Sequence, residues 1–546
     1  MDADTIHKRR WGILGVLVIC LLIVILDNTI LNVALKTIQE DLNASQSEMQ
    51  WAVDSYVLVF AGLLITWGVL GDRLGRKKVL VFGMLAFGAT SALCSFAGSS
   101  TELIIFRALM GIGAAAVQPQ TLSIIQNVFE PHERAKAIGI WAGASGIAIA
   151  LGPITGGLLL KYFWWGSIFL VNVPIVVVGT LLILWLVPDS KDPNPGRLDP
   201  TGVLLSMVAL VSLVYGVIEG GESNDWLAWN TLGAIVLGVV LMTVFVVQQK
   251  RSTHPTIDVT LFANRHFSAG TAAVALTFFS LTGATFYLAY FLQAVRGYTP
   301  LAAGVALIAV AAAVMIMAPM SARLSKRFGP RVVTGTGMTI FGVTFFLYSL
   351  TTQTMPQWAI ELLMVGIGSG MGLTMSPATN AIMSAVPREK AGAGSAVNNT
   401  VRQVASALGV AILGSIIAVI FRNDLGASTP AQTAASLDRA AGTSQIVRLV
   451  DGDTSHSIGN ALEFAIRSDA VVRANGGSPR AQQILGGFVA DTKDSFMSAM
   501  HITSLAAGGV AIVGAVIAFA FLPSRRETAL APVAATKPAA ETVPAP

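Results

Sequence analysis

The sequence predicts an all-α polytopic membrane protein, and three observations carry that prediction. First, only 12% of the 546 residues are charged and 54% are hydrophobic, about half the charge that a soluble chain usually carries. The mean hydropathy is +0.68. Second, the apolar residues fall into runs near the twenty needed to cross a bilayer as a helix. Third, the cations are sorted. With the N-terminus inside, short inner segments and tails hold 23 of the 35 Lys and Arg, and the short outer loops hold three, Lys36, Lys161 and Arg296. Short positively charged loops stay in the cytoplasm, so both termini are expected there.

Fourteen spans are expected, at roughly 11–35, 51–70, 79–98, 102–127, 137–160, 167–187, 202–220, 229–248, 268–293, 301–320, 332–351, 358–384, 395–421 and 500–522. The opening His7-Lys8-Arg9-Arg10 and the apolar run after it look like a secretory signal, but the run is too long and lacks a small-residue cleavage site. It reads as a retained first helix. The loop after span two, Gly71-Asp72-Arg73-Leu74-Gly75-Arg76-Lys77, has a weaker copy after span ten, Ser325-Lys326-Arg327-Phe328-Gly329-Pro330-Arg331. Two halves of six helices, each with a basic loop after its second helix, fit a parallel internal repeat. The expected division is an N-terminal bundle over 1–187, a linker and two-helix insert over 188–267, a C-terminal bundle over 268–522, and a disordered tail over 523–546. The polar segment 422–499 is expected outside as a helical hairpin, with arms at Ala461–Ile466 and Ala481–Leu485 and a turn at Gly476-Gly477-Ser478-Pro479.

Several stretches are candidates for chemistry. Span one contains Asp27 with Asn28 and Asn32, the two amides one turn apart on a polar stripe. A carboxylate inside the bilayer must face a cavity, pair, or hold a proton; it is either a proton carrier and substrate contact or a structural ion pair. Arg107 in span four lies about two turns from the outer face, a depth similar to that of Asp27, near 10 Å by helix rise, so the two can meet. Asp54 is either a second proton-coupling acid or a side chain that snorkels outward. Glu361, near the outer end of span twelve, is either a contact for a cationic substrate or an interfacial residue. Glu219 and Glu222 read as outer-surface residues. Arg402 pairs at the interface between halves or with lipid, and Met371, Met375 and Met383 line either an adaptable pocket or the core. The glycines and proline of Gly152-Pro153-Ile154-Thr155-Gly156-Gly157 permit a kink and close helix approach. Gly68 and Gly75 do the same around Asp72, Arg73 and Arg76.

The spacing G-x-x-x-D-R-x-G-R-K over Gly68–Lys77 resembles motif A of the major facilitator superfamily. The Arg107 stretch resembles motif B and the Gly152–Gly157 stretch motif C. The Asp27 stretch and Trp164-Trp165-Gly166-Ser167-Ile168-Phe169-Leu170-Val171-Asn172-Val173-Pro174 resemble the fourteen-helix drug:proton antiporter branch, with Lys36 where a proline is usual and no arginine between the tryptophans. The resemblance implies the major facilitator fold, alternating access, and efflux of lipophilic, cationic or aromatic drugs in exchange for protons across the cytoplasmic membrane. It implies a part in proton transfer for the Arg107 stretch, beside the candidates Asp27 and Asp54 read from position alone. It also implies a lock built from Asp72 facing the start of span thirteen near Gly392–Ser395, completed by Arg73, Arg76 and either Glu133 or Arg134.

No enzyme is expected. There is no G-x-x-x-x-G-K-[ST] for ATP, the histidines lack ligand spacing, and Cys20 and Cys94 fall in apolar runs, which argues against a disulfide. The expected partners are a small-molecule drug or antibiotic, H+ and the lipid bilayer. No cofactor, metal or nucleic acid is expected, and the chain is expected as a monomer. A dedicated exporter of one metabolite or antibiotic is the alternative within transport. A receptor or assembly scaffold docking through 422–499 is the alternative outside it.

Overall fold

In the computed structural model the described residues are 3–191, 199–223, 225–252, 259–386, 391–425, 430–441, 443–446, 458–474 and 478–525. Among them there are helices and no strand. The first group is α1 (Ala3–Leu42), α2 (Gln46–Leu74), α3 (Arg76–Ser95), α4 (Ser100–Val128), α5 (Pro131–Tyr162) and the broken pair α6 (Ser167–Leu170) and α7 (Asn172–Leu186). A central pair follows, α8 (Pro200–Ser223) and α9 (Trp229–Arg251). The second group is α10 (Arg265–Tyr290), α11 (Pro300–Phe328), α12 (Pro330–Tyr348), α13 (Gln357–Ser384) and α14 (Ala391–Leu425), with α15 (Pro430–Ala441), α16 (Ile458–Ala474) and α17 (Pro479–Phe521) after it.

Eleven helices among the described residues are long and apolar enough to cross a membrane. The count is twelve when α2, bent by 50° between Ser47–Leu64 and Thr66–Leu74, is taken as one span. The other two of the fourteen expected positions are α5 and α12. Helix α12 is short at 19 residues and diluted by threonine and glycine, as in Thr334-Gly335-Thr336-Gly337. Fourteen spans are therefore not established by length and composition.

Within the first group α1 lies on α5, α2 on α4, and α3 on α4 and α7. The second group repeats the scheme, with α10 on α14 and α17, α11 on α13, and α12 on α13 and α17. The two groups meet along α5 with α11 and α2 with α14. Helix α8 bridges that junction: Met207 packs on Gly62 of α2, while Ser415 Oγ of α14 donates to the Val217 carbonyl (3.0 Å). Helix α9 packs on α8 and keeps a largely exposed apolar surface, including Val236, Val239 and Val240.

The basic loops share one geometry. Gly75 closes α2 and opens α3 with φ +109°, and its N–H donates to the Gly71 carbonyl (3.0 Å). Gly329 does the same between α11 and α12 with φ +90°, donating to Ser325 (2.9 Å). Only glycine takes that backbone readily. Ser45 starts α2 with a capping box, receiving the Glu48 N–H while Glu48 Oε2 accepts from the Ser45 N–H (2.8 Å).

Three elements differ from expectation. Helix α1 runs past residue 35 to Leu42, because Lys36–Leu42 contains no breaker and gains the Lys36–Glu40 pair one turn apart. The polar segment holds a third helix, α15, packed on α16 and α17. The second arm of the hairpin is no separate helix: α17 is continuous for 43 residues into the last span. Its buried stripe Leu485, Phe488, Thr492, Phe496 and Ala499 keeps helical spacing through Gly486-Gly487. Gly476 and Gly477 of the expected turn, and residues 526–546 of the tail, lie outside the described residues.

Candidate functional site

Near the end of the bundle that carries α15 and α16, the hairpin end, α1, α2, α4 and α7 converge on one buried ion pair. Arg107 Nη1 of α4 lies 2.6 Å from Asp27 Oδ2 of α1, and the two side chains are 0% and 1% exposed. The break between α6 and α7 turns Asn172 inward, where its Nδ2 donates to Asp27 Oδ1 (2.9 Å) and contacts Ser91 Oγ (3.0 Å). Ser91 in turn donates to the Phe169 carbonyl (2.8 Å). Helix α2 supplies the rest: Arg107 Nε donates to the Ala52 carbonyl (3.1 Å), and the guanidinium sits 4.3 Å from the Tyr56 ring centroid. A buried pair persists only when its remaining donors and acceptors are occupied. Here both carboxylate oxygens are taken and the arginine face is covered by a ring, while among the described residues Arg107 Nη2 is buried with no hydrogen-bond partner.

Asp54, one turn from Gln50, lies on the opposite side of α2 from Ala52 and Tyr56. Gln50 packs against Gly414 of α14, so helical spacing puts Asp54 on the face that meets the second group. The Asp54 side chain is fully buried, and among the described residues neither carboxylate oxygen has a hydrogen-bond partner. Asp54 thus does not snorkel to the surface. Asn28 and Asn32 are half-buried and spend their amides on the Val24 carbonyl (3.3 Å) and the Asn28 carbonyl (3.2 Å) of their own helix. Glu361 stands apart, near the hairpin end of α13, accepting from Gln357 Nε2 (2.8 Å). Glu219 is held by Asn230 (2.8 Å). Cys20 and Cys94 are buried and unbonded.

The Gly152–Gly157 stretch has two faces. Gly152 and Gly156 let α5 close on Thr29 and Ile30, directly after Asp27 on α1. Pro153 and Gly157 face the other group: a methyl on Gly157 would sit 2.5 Å from Leu301 Cα, and Gly304 of α11 approaches the Pro153 backbone. Gln293, in a π-helical turn over Phe291–Val295 after α10, donates to the Val33 carbonyl of α1 (2.9 Å). Each of these contacts lies toward the hairpin end, where the groups are joined.

At the opposite, basic end Asp72 is bound by Arg76 one turn on (2.8 Å). The loop also fastens to the chain leading out of α7, through Arg76 N–H to the Ser190 carbonyl (2.9 Å) and Lys77 Nζ to the Leu184 carbonyl (3.0 Å). Gly68 packs by Pro119 of α4, and Gly71 by Gln120. Glu133 pairs with Arg10 of α1 (2.8 Å). The side chains of Arg134 and of Gly392–Ser395, and so the expected approach to Asp72, lie outside the described residues.

Sequence reasoning missed Asn172, Ser91 and Tyr56. Asn172 stood inside the Trp164–Pro174 stretch that resembles the drug:proton antiporter branch, as an amide in an apolar run, but nothing in the sequence paired it with Asp27.

Residues 17–410 match the sequence profile of the Major Facilitator Superfamily. The multidrug efflux pump LfrA of Mycolicibacterium smegmatis is 36% identical over 474 residues, covering 85% of this chain and 94% of the relative. The tetracenomycin C resistance and export protein of Streptomyces glaucescens is 31% identical, covering 94% and 92%. A solved bacterial homologue of the human lysosomal transporter Spinster, inward-facing and unoccupied, has the same fold. Its TM-score is 0.60 at 17% identity, over 93% of this chain and 97% of that one. With its many membrane-spanning helices, the chain is a multi-pass membrane protein and belongs to the Major Facilitator Superfamily of transporters.

Proposed function

We propose that this protein exports lipophilic, cationic or aromatic drugs from the cell by proton antiport, through alternating access across the cytoplasmic membrane. The observation that carries the reading is the pair of buried carboxyl groups near the junction of the two helix groups, Asp27 on Arg107 and Asp54 without a partner. Buried acids in a membrane bundle mark ion pathways. The names of LfrA and of the tetracenomycin exporter support efflux as the direction. The cation asymmetry supports placing the basic end in the cytoplasm, and the junction at the hairpin end then corresponds to a state closed to the outside.

In this reading drug enters from the cytoplasmic side, and a proton is released from Asp27 as Arg107 draws the carboxylate in. The helix groups then rock about the Gly152–Gly157 seam. Outside, a proton returns to Asp27 and frees the drug. Asp54, on the face of α2 that meets α14, senses whether the junction is closed. Drug and proton must weaken each other's binding by the same factor.

The test is proton movement on ethidium addition in proteoliposomes with an imposed pH gradient. Drug-dependent proton flux in the wild type and its loss in Asp27→Asn are expected; full uphill efflux by Asp27→Asn would overturn the assignment. Export of a single antibiotic is the second reading, favoured by the tetracenomycin relative, whose similarity spans 94% of this chain. Resistance confined to one chemical class across unrelated compounds would select it.

A further inference from the structure

Among the described residues the Asp27 carboxyl has two hydrogen-bond partners, and both are donors: Arg107 Nη1 (2.6 Å) and Asn172 Nδ2 (2.9 Å). That set fits a carboxylate, which only accepts. It does not fit a carboxylic acid, whose O–H needs an acceptor. A guanidinium has no acceptor atom, so Arg107 cannot receive that hydrogen bond. The acceptor has to come from the other side of the carboxyl group.

Asn172 supplies one. Its side chain is fully buried, and among the described residues its Oδ1 has no hydrogen-bond partner. Its Nδ2 spends both hydrogens, one on Asp27 Oδ1 and one on Ser91 Oγ (3.0 Å). Half a turn of the amide exchanges Oδ1 and Nδ2 without moving the backbone, and the last torsion of an asparagine is soft. Oδ1 would then face Asp27 Oδ1 and Ser91 Oγ and accept from both. Ser91 can follow, because a hydroxyl hydrogen rotates. It now donates to the Phe169 carbonyl (2.8 Å) and would donate to Asn172 instead. Two other titratable groups interact electrostatically with Asp27, Tyr56 of α2 and Cys94 of α3; α7 itself contains no ionisable residue. Tyr56, whose ring covers Arg107, is the rival acceptor, because its hydroxyl is also buried.

We propose that Asn172 is a positioning residue for both protonation states of Asp27. Its Nδ2 holds the carboxylate; after half a turn its Oδ1 holds the acid, with Ser91 reversing its hydroxyl in step. The inference rests on the antiport reading and deepens it, because it gives the carried proton a bonded seat beside a guanidinium that cannot share it. The proton comes from water and forms the O–H bond on Asp27, and on release it returns to water. The amide itself neither gains nor loses a proton.

The experiment records infrared difference spectra of the full-length protein in nanodiscs as the pH is stepped down, with isotope-labelled asparagine. The protonated Asp27 band is the carboxyl band that Asp27→Asn lacks. In the wild type an asparagine carbonyl band is expected to shift to lower wavenumber as that carboxyl band appears, because an unbonded carbonyl gains hydrogen bonds. Asn172→Leu keeps the bulk without the polar atoms. There the asparagine shift is expected to vanish and the Asp27 band to move to higher wavenumber, as for an acid without an acceptor. Ser91→Ala is expected to reduce the asparagine shift and leave the Asp27 band in place. A structural role alone would lower the melting temperature of Asn172→Leu and move neither band. Wild-type asparagine carbonyls that stay fixed while Asp27 takes its proton overturn the proposal, and this arm needs no substitution at residue 172. So does an Asp27 band that is unmoved in Asn172→Leu, or one that moves in Tyr56→Phe instead, which gives the proton to Tyr56. Ethidium-driven proton flux in the same preparations tests the antiport reading separately. Flux with a fixed asparagine carbonyl would keep antiport and refute the turning amide; a turning amide without drug-driven flux would do the reverse.

Discussion

Asp27 and Asp54 are both buried carboxyl groups in the first helix group, yet their company is opposite. Asp27 has a guanidinium at 2.6 Å and an amide at 2.9 Å; among the described residues Asp54 has no hydrogen-bond partner. The difference follows from α2. Its Ala52 and Tyr56 side turns to Arg107 on α4, inside one group, while its Gln50 and Asp54 side turns to α14 of the other. The first acid is fixed within a rigid bundle. The second is buried by the junction of the two groups, which the proposed alternating access would open. A charge inside a bundle is held by its partner, whereas an acid at a moving seam is exposed or hidden by the motion itself.

Substitutions can break that contrast. Arg107→Ala is expected to have the largest effect, lowering stability by about 3–5 kcal/mol, because it leaves a buried carboxylate on one amide and empties the space over Tyr56. A melting temperature within a degree or two of wild type in detergent would show that the pair is not structural. Asp27→Asn keeps the shape and the Asn172 neighbour but strands the arginine charge, so a loss of about 3 kcal/mol is expected. Gly304→Ala wedges a methyl against the Pro153 backbone at the seam and should disfavour the joined state by about 1–3 kcal/mol. In a cysteine-accessibility experiment this should increase labelling at residue 54 in an Asp54→Cys background; unchanged labelling would separate Asp54 from the seam. Asp54→Asn is expected to be the mildest, within about 1 kcal/mol, because a neutral amide replaces a group with no counter-ion to lose. A melt as depressed as that of Asp27→Asn would mean that Asp54 has a charged partner after all.

The sequence made the charges legible and left their geometry hidden. Asp27 and Arg107 stand out because a charge in an apolar run is visible, and similar depth was enough to bring them together. Asn172 did not stand out, because its role depends on the chain breaking at Val171 and turning one amide inward. Asp54 lay near enough to the start of its helix that hydropathy could not choose between surface and interior; packing of Gln50 on Gly414 did. The matched turns at Gly75 and Gly329 were readable, since glycine at the same place in two basic loops has one backbone reason. The helix α15 was not, because its mean composition is polar and its apolar side serves the hairpin rather than the membrane.

The unbroken α17 gives the hairpin a mechanical meaning. Forty-three residues of continuous helix make a rod about 64 Å long, anchored in the second group and projecting beyond the bundle. Under the rocking proposed above, its far tip would sweep further than the spans themselves. Arg467 of α16 meanwhile reaches Asn43 at the end of α1 (2.9 Å), so the hairpin touches the first group. Under the proposed cycle the hairpin is a pointer and its rest, and a pair of spectroscopic labels there would read the tilt at an amplified scale.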